Sequence, residues 1–518
     1  MTYPHPATRP HGAKSLHTPL RQSPPLTMPP AIPAIPALAR PLPQALSRRD
    51  CLRLALATST LAALPGLARG AAPQAELPAA LRQLMRQRKL PADSLSWVVD
   101  DLTTGDRVLS WQADTPRNPA SLTKLLTTLC ALESLGPTWT WKTEIWRTGP
   151  LIDGVVQGDL VLVGDGDPKL QWERLWLLVQ RLRQAGIRGA TGGLLLDRSR
   201  FDLPPHDPGA FDNEPLRPAN AGPDALLMQF QSLQLRFTPD ADTQQARVAA
   251  EPSLPGFEWP SAVPLNRQPC GSWREQLKLR VEAQGLALDG SYPAACGSLN
   301  WPILMPAEAR FPHRLMAGLL QDAGIQLGSP VTDGLRPPES LKVMTLESPP
   351  LAEVIRDINK FSNNVMAEQL FLTLPRGSDA SPVSWESAQA ALRRWVEPRL
   401  GWPSDSWQVL RGSGLSRDTR LSAAQLAHVL MAGWQSPLMP EYAASLALAG
   451  QDGTMTRLQS ATGSAHLKSG SLRDSAALAG YVQSRSGRRH SFVAILQAPQ
   501  AGEHRAVLDQ ALSWVHDR

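Results

Sequence analysis

The stretch Pro119-Ala120-Ser121-Leu122-Thr123-Lys124-Leu125-Leu126 sets a hydroxyl and an amine three residues apart at the head of an apolar run. Leu122, Leu125, Leu126, Leu129 and Leu132 recur at helical spacing until Gly136-Pro137 ends the pattern, so a helix begins at or near Ser121. Residues i and i+3 of a helix share a face, which puts Ser121 and Lys124 side by side. An unprotonated lysine so placed can remove the serine proton during attack on a carbonyl. Taken alone, Ser-x-x-Lys is common by chance and usually marks a solvated helical face.

Upstream of this stretch, alternating apolar positions at 95–99, turn residues at 100–106 and a second alternating run at 108–111 read as a β-hairpin. At the far end, 476–484 and 491–497 are strand-like and joined by Arg485-Ser486-Gly487-Arg488, and 503–516 reads as a closing helix. The two ends of the chain therefore build one α/β core, with the middle inserted between them. That middle shows short alternating runs, as at 158–163 and 192–196, which predict accessory β-rich structure. A further change near 225–300 predicts a third, nested domain.

Two other segments carry chemistry. Phe361-Ser362-Asn363-Asn364 lies between predicted helices at 351–360 and 365–374 and offers a hydroxyl and an amide together. His466-Leu467-Lys468-Ser469-Gly470-Ser471 lies on a predicted strand and offers a cation, a hydroxyl and a glycine. Each has a plain alternative, a polar loop in the first case and an edge strand with a solvated lysine in the second. Together and in this order, Ser-x-x-Lys, Ser-x-Asn and Lys-Thr/Ser-Gly are the motif set of penicillin-binding proteins and class A β-lactamases.

The spacing narrows the choice, because Ser121 and Ser362 are 241 residues apart and a class A β-lactamase has no such insertion. Over about residues 75–518 the sequence resembles the type-4, class C low-molecular-mass penicillin-binding proteins, the D-Ala-D-Ala carboxypeptidase/endopeptidase family. Gly158-Asp159-Leu160 with Gly164-Asp165-Gly166-Asp167-Pro168, then Gly412-Ser413-Gly414-Leu415-Ser416-Arg417 and Gly450-Gln451-Asp452-Gly453-Thr454, also resemble signatures of that family. Ser469 stands where the family more often has Thr, and Arg411 where an Asp is common.

The resemblance implies a mixed α/β (α+β) fold, with a penicillin-binding/serine β-lactamase-like core of antiparallel sheet and helices interrupted by a large insertion. Residues 73–150 and 340–518 would form the catalytic domain, 151–224 and 301–339 an accessory domain, and 225–300 the nested one. It implies a serine D-alanyl-D-alanine carboxypeptidase/endopeptidase acting on peptidoglycan peptides through an acyl-enzyme, with β-lactams as covalent inhibitors. Ser121 would be the nucleophile, Lys124 its base and Ser362 the proton relay. Asn364, Lys468, Ser469 and Gly470 would bind substrate, and the backbone N–H groups of Ser121 and Ser471 would form the oxyanion hole. No metal and no cofactor is called for. A β-lactamase or esterase on the same fold, or an acylated sensor without turnover, stays open at this stage.

Other chemistries lack their residues. There is no His-Glu-x-x-His, no Gly-x-Ser-x-Gly elbow, and no Lys-Ser/Thr after the glycines of 164–168 at phosphate-loop spacing. The formal charge of +6 looks basic, but residues 1–72 carry eight basic side chains against Asp50 alone, which leaves about −1 for the remainder. That balance speaks against nucleic-acid binding.

The 1–72 segment is itself informative. Ser47-Arg48-Arg49-Asp50-Cys51-Leu52-Arg53 resembles a twin-arginine signal, the apolar run 54–67 suits its hydrophobic region, and Gly70-Ala71-Ala72 marks a cleavage zone. A periplasmic enzyme with at most peripheral membrane contact is expected. An oxidising compartment permits a disulfide between Cys270 and Cys296, with Cys130 left in an apolar helix as core packing.

Overall fold

The structure, a computed structural model, describes residues 76–375 and 382–518; the signal-like segment 1–72 lies outside them. The hairpin upstream of Ser121 forms as strands β1 (Leu95–Asp101) and β2 (Arg107–Trp111). Its turn is held by Asp101 Oδ1, which accepts from the N–H groups of Thr103 and Thr104, and by Gly105 at φ +76°. Strand β1 is buried along its whole length because it is an inner strand with both faces covered: Val98 points to one core, Leu95, Trp97 and Val99 to the other.

The C-terminal part supplies β3 (Ala447–Leu448), β4 (Ala465–Leu472), β5 (Ser475–Gln483) and β6 (Arg489–Gln497). The sheet runs β3-β4-β5-β6-β1-β2, antiparallel throughout, so the two distant ends of the chain meet at the β6–β1 pair. Helices α1 (Ala79–Gln87) and α8 (Ala506–His516) cover one face, with Leu81, Met85, Val507, Leu508 and Leu512 in its core. The other face packs on α2 (Thr123–Leu135), α3 (Leu351–Lys360), α4 (Asn364–Phe371), α5 (Trp385–Leu400), α6 (Ala423–Gln435) and α7 (Met439–Ala444). Capping boxes at Ser384 and Ser422 start α5 and α6.

Between 142 and 347 the chain forms structure with its own hydrophobic core, from Ile145 to Leu346. One five-stranded sheet runs Val331–Asp333, Leu194–Asp197, Leu160–Val163, Lys142–Arg147, Leu341–Glu347. Its Leu160–Val163 and Leu194–Asp197 strands are parallel, which demands a crossover, and the helix Trp172–Gln184 provides it. The short alternations in the sequence single out these strands but pass over this helix and Phe311–Asp322, whose apolar stripes are interrupted by Arg and Gln.

A second five-stranded sheet, within 232–304, is packed around Phe237, which stacks on Tyr292 at 5.2 Å and meets Trp273 edge-on at 5.5 Å. Cys270 and Cys296, 26 residues apart, are joined by a disulfide beside this cluster. Cys130 is buried in α2, where burial pushes its thiol up to about 12, so it packs as an apolar group. Among the described residues no helix is long and apolar enough to cross a membrane.

Candidate active site

Ser121 lies in a single 3₁₀ turn, Ala120–Leu122, that runs directly into α2. Ala120 holds a left-handed φ of +51°, an unfavourable state for a residue with a Cβ. Asn118 fixes it: Oδ1 accepts from Ala120 N at 3.0 Å, and Nδ2 donates to the Ser416 carbonyl at 2.8 Å. Two glycines let other backbone come close. A Cβ on Gly414 would stand 2.1 Å from the Ala120 carbonyl oxygen, and one on Gly470 would stand 2.6 Å from that of Pro119. This is the physical reason for the glycine of Lys468-Ser469-Gly470: the strand passes against the turn that carries Ser121.

Lys124, one helical turn on, is wholly buried. Its Nζ lies 2.8 Å from Ser121 Oγ, 2.8 Å from Asn364 Oδ1 and 2.7 Å from the Ser413 carbonyl oxygen. With Lys124 neutral, two N–H bonds serve the amide and the carbonyl, and the nitrogen lone pair is left for the Ser121 hydroxyl proton. Burial drives the ammonium down to about 7, and the negative charge of Glu368 acts in the opposite direction.

Asn364 begins α4, and Asn363 rather than Asn364 caps it, its side chain accepting from Met366 N at 3.0 Å. Ser362 is therefore squeezed between α3 and α4 at a left-handed φ of +57°. Its Oγ accepts from Lys468 Nζ at 2.9 Å, and Lys468 also donates to the Ser469 carbonyl at 2.7 Å. The sequence placed Asn364 before a helix at 365–374; it lies within the first turn of one that ends at Phe371.

To act as a base Lys124 must be neutral, whereas holding a carboxylate asks for an ammonium at Lys468. In the structure both are depressed. Burial, and then the nearby Lys124, push Lys468 well below the usual lysine range. Its hydrogen-bond partners are a hydroxyl and a carbonyl, neither of them charged, whereas Lys124 has Glu368 nearby. The penalty of the second cation thus falls on the lysine without a counter-charge.

On β4, Ala465 O accepts from Ala449 N, so alternate residues Ala465, Leu467, Ser469 and Ser471 turn their backbone groups to the same edge. Strand β3 pairs only with His466 and Leu467, and the Ser471 N–H lies on the edge beyond it. Ser469 Oγ donates to Thr454 Oγ1 at 3.0 Å, and Ser471 Oγ accepts from Arg505. Eight of the residues named from sequence, Ser121, Lys124, Ser362, Asn364, Lys468, Ser469, Gly470 and Ser471, thus gather around the turn that carries Ser121, with Asn364 bordering one cavity and Ser469 and Gly470 another. Cys270 and Cys296 lie elsewhere, in the inserted sheet.

A cavity of about 480 Å³ adjoins Lys124's partners and is lined by Asn364, Glu368, Trp385, Arg411, Ser413 and Arg417 among others. Asp207, from the 202–212 segment, also reaches it. Arg411 lays its guanidinium on Trp385 at 3.5 Å from the ring centroid. Glu368 escaped the sequence reading. The signal was present: an acid in a largely apolar helix, four residues after Asn364 and so on its face.

Over residues 77–516 the sequence matches the D-Ala-D-Ala carboxypeptidase 3 (S13) family. The chain belongs to that family. This S13 protein is a serine D-Ala-D-Ala carboxypeptidase. It is 27% identical over 417 residues to a D-alanyl-D-alanine carboxypeptidase of Actinomadura sp. (strain R39), covering 75% of each chain. It is 21% identical over 428 residues to the D-alanyl-D-alanine carboxypeptidase DacB of Haemophilus influenzae, covering 80% of this chain and 88% of DacB. The crystal structure of penicillin binding protein 4 (dacB) from Haemophilus influenzae shares its fold, with a TM-score of 0.70 at 20% identity, covering 84% of this chain and 98% of that one. The same protein complexed with a novel β-lactam aligns with a TM-score of 0.67.

Proposed function

We propose that Ser121 is the nucleophile of this S13 carboxypeptidase and Lys124 its general base, acting on the D-Ala-D-Ala ends and cross-links of peptidoglycan stem peptides. The observation that carries this reading is the 2.8 Å approach of a wholly buried Lys124 Nζ to Ser121 Oγ. The Ser121 proton moves to Lys124 Nζ while Oγ bonds to the carbonyl carbon, and the carbonyl electron pair moves to oxygen facing the N–H groups of Ser121 and Ser471. Collapse breaks the C–N bond, and the leaving amine takes the proton from Lys124 through Ser362. Water then hydrolyses the ester.

Asn364 orients Lys124 and the substrate amide. Lys468 and Ser469 receive the terminal carboxylate, and that carboxylate supplies the counter-charge that the hydroxyl and carbonyl partners of Lys468 do not. Gly470 leaves room for the substrate backbone beside the nucleophile turn. A β-lactam carries a strained amide and a carboxylate in the same relation and acylates Ser121 in place of the peptide. Purified muropeptides treated with wild type and Ser121→Ala test the reading: free D-Ala is released by the first and not by the second, and release by both contradicts it.

We further propose the division into 73–150 with 340–518, 151–224 with 301–339, and a nested 225–300. The hydrophobic core from Ile145 to Leu346 supports setting the insertion apart from the catalytic part, and the separate five-stranded sheet within 232–304 supports the nested segment, although the two share that one core. The twin-arginine-like segment around Arg48 and Arg49 would export the enzyme to the periplasm. Arg48→Lys with Arg49→Lys should leave precursor in the cytoplasm, as seen by fractionation; normal processing points to another route.

A further inference from the structure

Helix α4 carries a second functional side chain one turn beyond Asn364. Glu368 is 8% exposed, and its carboxylate accepts from Gly412 N at 3.2 Å, from Ser413 N at 3.3 Å and from Ser413 Oγ. Ser413 in turn offers its carbonyl to Lys124 Nζ at 2.7 Å. One peptide turn therefore has its donors on Glu368 and an acceptor on Lys124. The lysine has three acceptors, Ser121 Oγ, Asn364 Oδ1 and the Ser413 carbonyl, the number an ammonium requires. An ammonium formed there is cut off from water, and a buried charge without a partner is costly.

We infer that Glu368 is a positioning residue, the counter-charge for the Lys124 ammonium that exists while Ser121 is being acylated. The inference rests on the Ser121–Lys124 reading above. In the acylation step the Ser121 proton travels to Lys124 Nζ and the positive charge appears across the Ser413 turn from a carboxylate already fixed in place. No hydrogen bond has to be made or broken around Glu368 when this happens. When the proton leaves with the amine, the charge disappears again.

The charged groups facing Glu368 decide whether it can serve. Burial pushes the Glu368 carboxyl above the usual carboxylate range, and its bonds from Ser413, Arg411 from the turn after α5 and Lys124 from α2 act the other way and favour the ionised form. Arg411 is itself held on Trp385. Lys468, from β4, bears on Lys124 rather than on Glu368. Arg411 thus stands where it helps keep a buried carboxylate charged.

The test is the pH dependence of acylation by a fluorescent penicillin, measured by rapid mixing. Glu368 raises the affinity of Lys124 for its proton, so Glu368→Gln should move the acid limb of the rate to lower pH. The plateau should fall about tenfold or more, because the ammonium then forms without a counter-charge. Glu368→Asp should move the limb the same way by less, and it carries the test if the Gln variant does not fold. An unmoved limb in Glu368→Gln or Glu368→Asp, even with a slower rate, makes Glu368 a structural pin only and overturns the inference. Label that persists in Ser121→Ala would instead overturn the site reading, so the two failures are distinguishable.

Discussion

In the cleft two lysines lie at 0% exposure, surrounded by hydroxyls, an amide and carbonyls, with turns held at left-handed φ on both sides. In the inserted sheet of 232–304, Phe237, Trp273 and Tyr292 meet ring to ring beside a disulfide. The second region gains stability from apolar burial. The first gives some up, since a desolvated amine and a strained alanine turn both oppose folding. The contrast locates function: buried charge that contributes nothing to stability is retained for chemistry.

If that contrast holds, substitutions in the cleft change rates and substitutions in the insertion change stability. The largest effect is expected for Lys124→Ala, which should lower penicillin acylation by roughly a thousandfold at saturating drug. In the wild type the acylation rate should rise as pH increases through about 7, because the base works only when neutral. A variant that acylates as fast as wild type would reassign the proton path, with Lys468 acting through Ser362.

Lys468→Ala should cost less, about ten- to a hundredfold in second-order capture, with slow acylation retained. Its loss should flatten the preference for ligands bearing a free carboxylate, compared with their esters. Equal rates for acid and ester in the wild type would remove the carboxylate role. Smallest in activity is Cys296→Ser, which should leave acylation within about twofold. The loop of 26 residues is then unclosed, and the inserted part should lose about 3 kcal/mol by the chain-entropy estimate. A denaturation profile unchanged from wild type would deny the disulfide its stabilising part.

The sequence made the core legible where periodicity was strong. The 95–111 hairpin, the helix after Ser121 and the C-terminal strands lie where alternation and leucine spacing put them. The insertion was harder, because Trp172–Gln184 and Phe311–Asp322 are short amphipathic helices among short strands, and only the parallel pairing of their neighbours requires them. In the site, motif order drew attention to the residues that reach the cleft from α2, the α3–α4 turn and β4. Glu368 was hidden because a carboxylate in a helix reads as solvated, and its burial depends on the turn at Gly412-Ser413 folding over it. The charge balance around Lys468 is equally illegible in sequence, because it depends on which neighbours arrive from other elements.

The most direct test of the account is peptide mapping by mass spectrometry after brief exposure of the purified protein to a labelled penicillin. The account predicts one adduct, an ester on the peptide containing Ser121, absent from Ser121→Ala. An adduct on a peptide lacking Ser121, or undiminished labelling of Ser121→Ala, would contradict it.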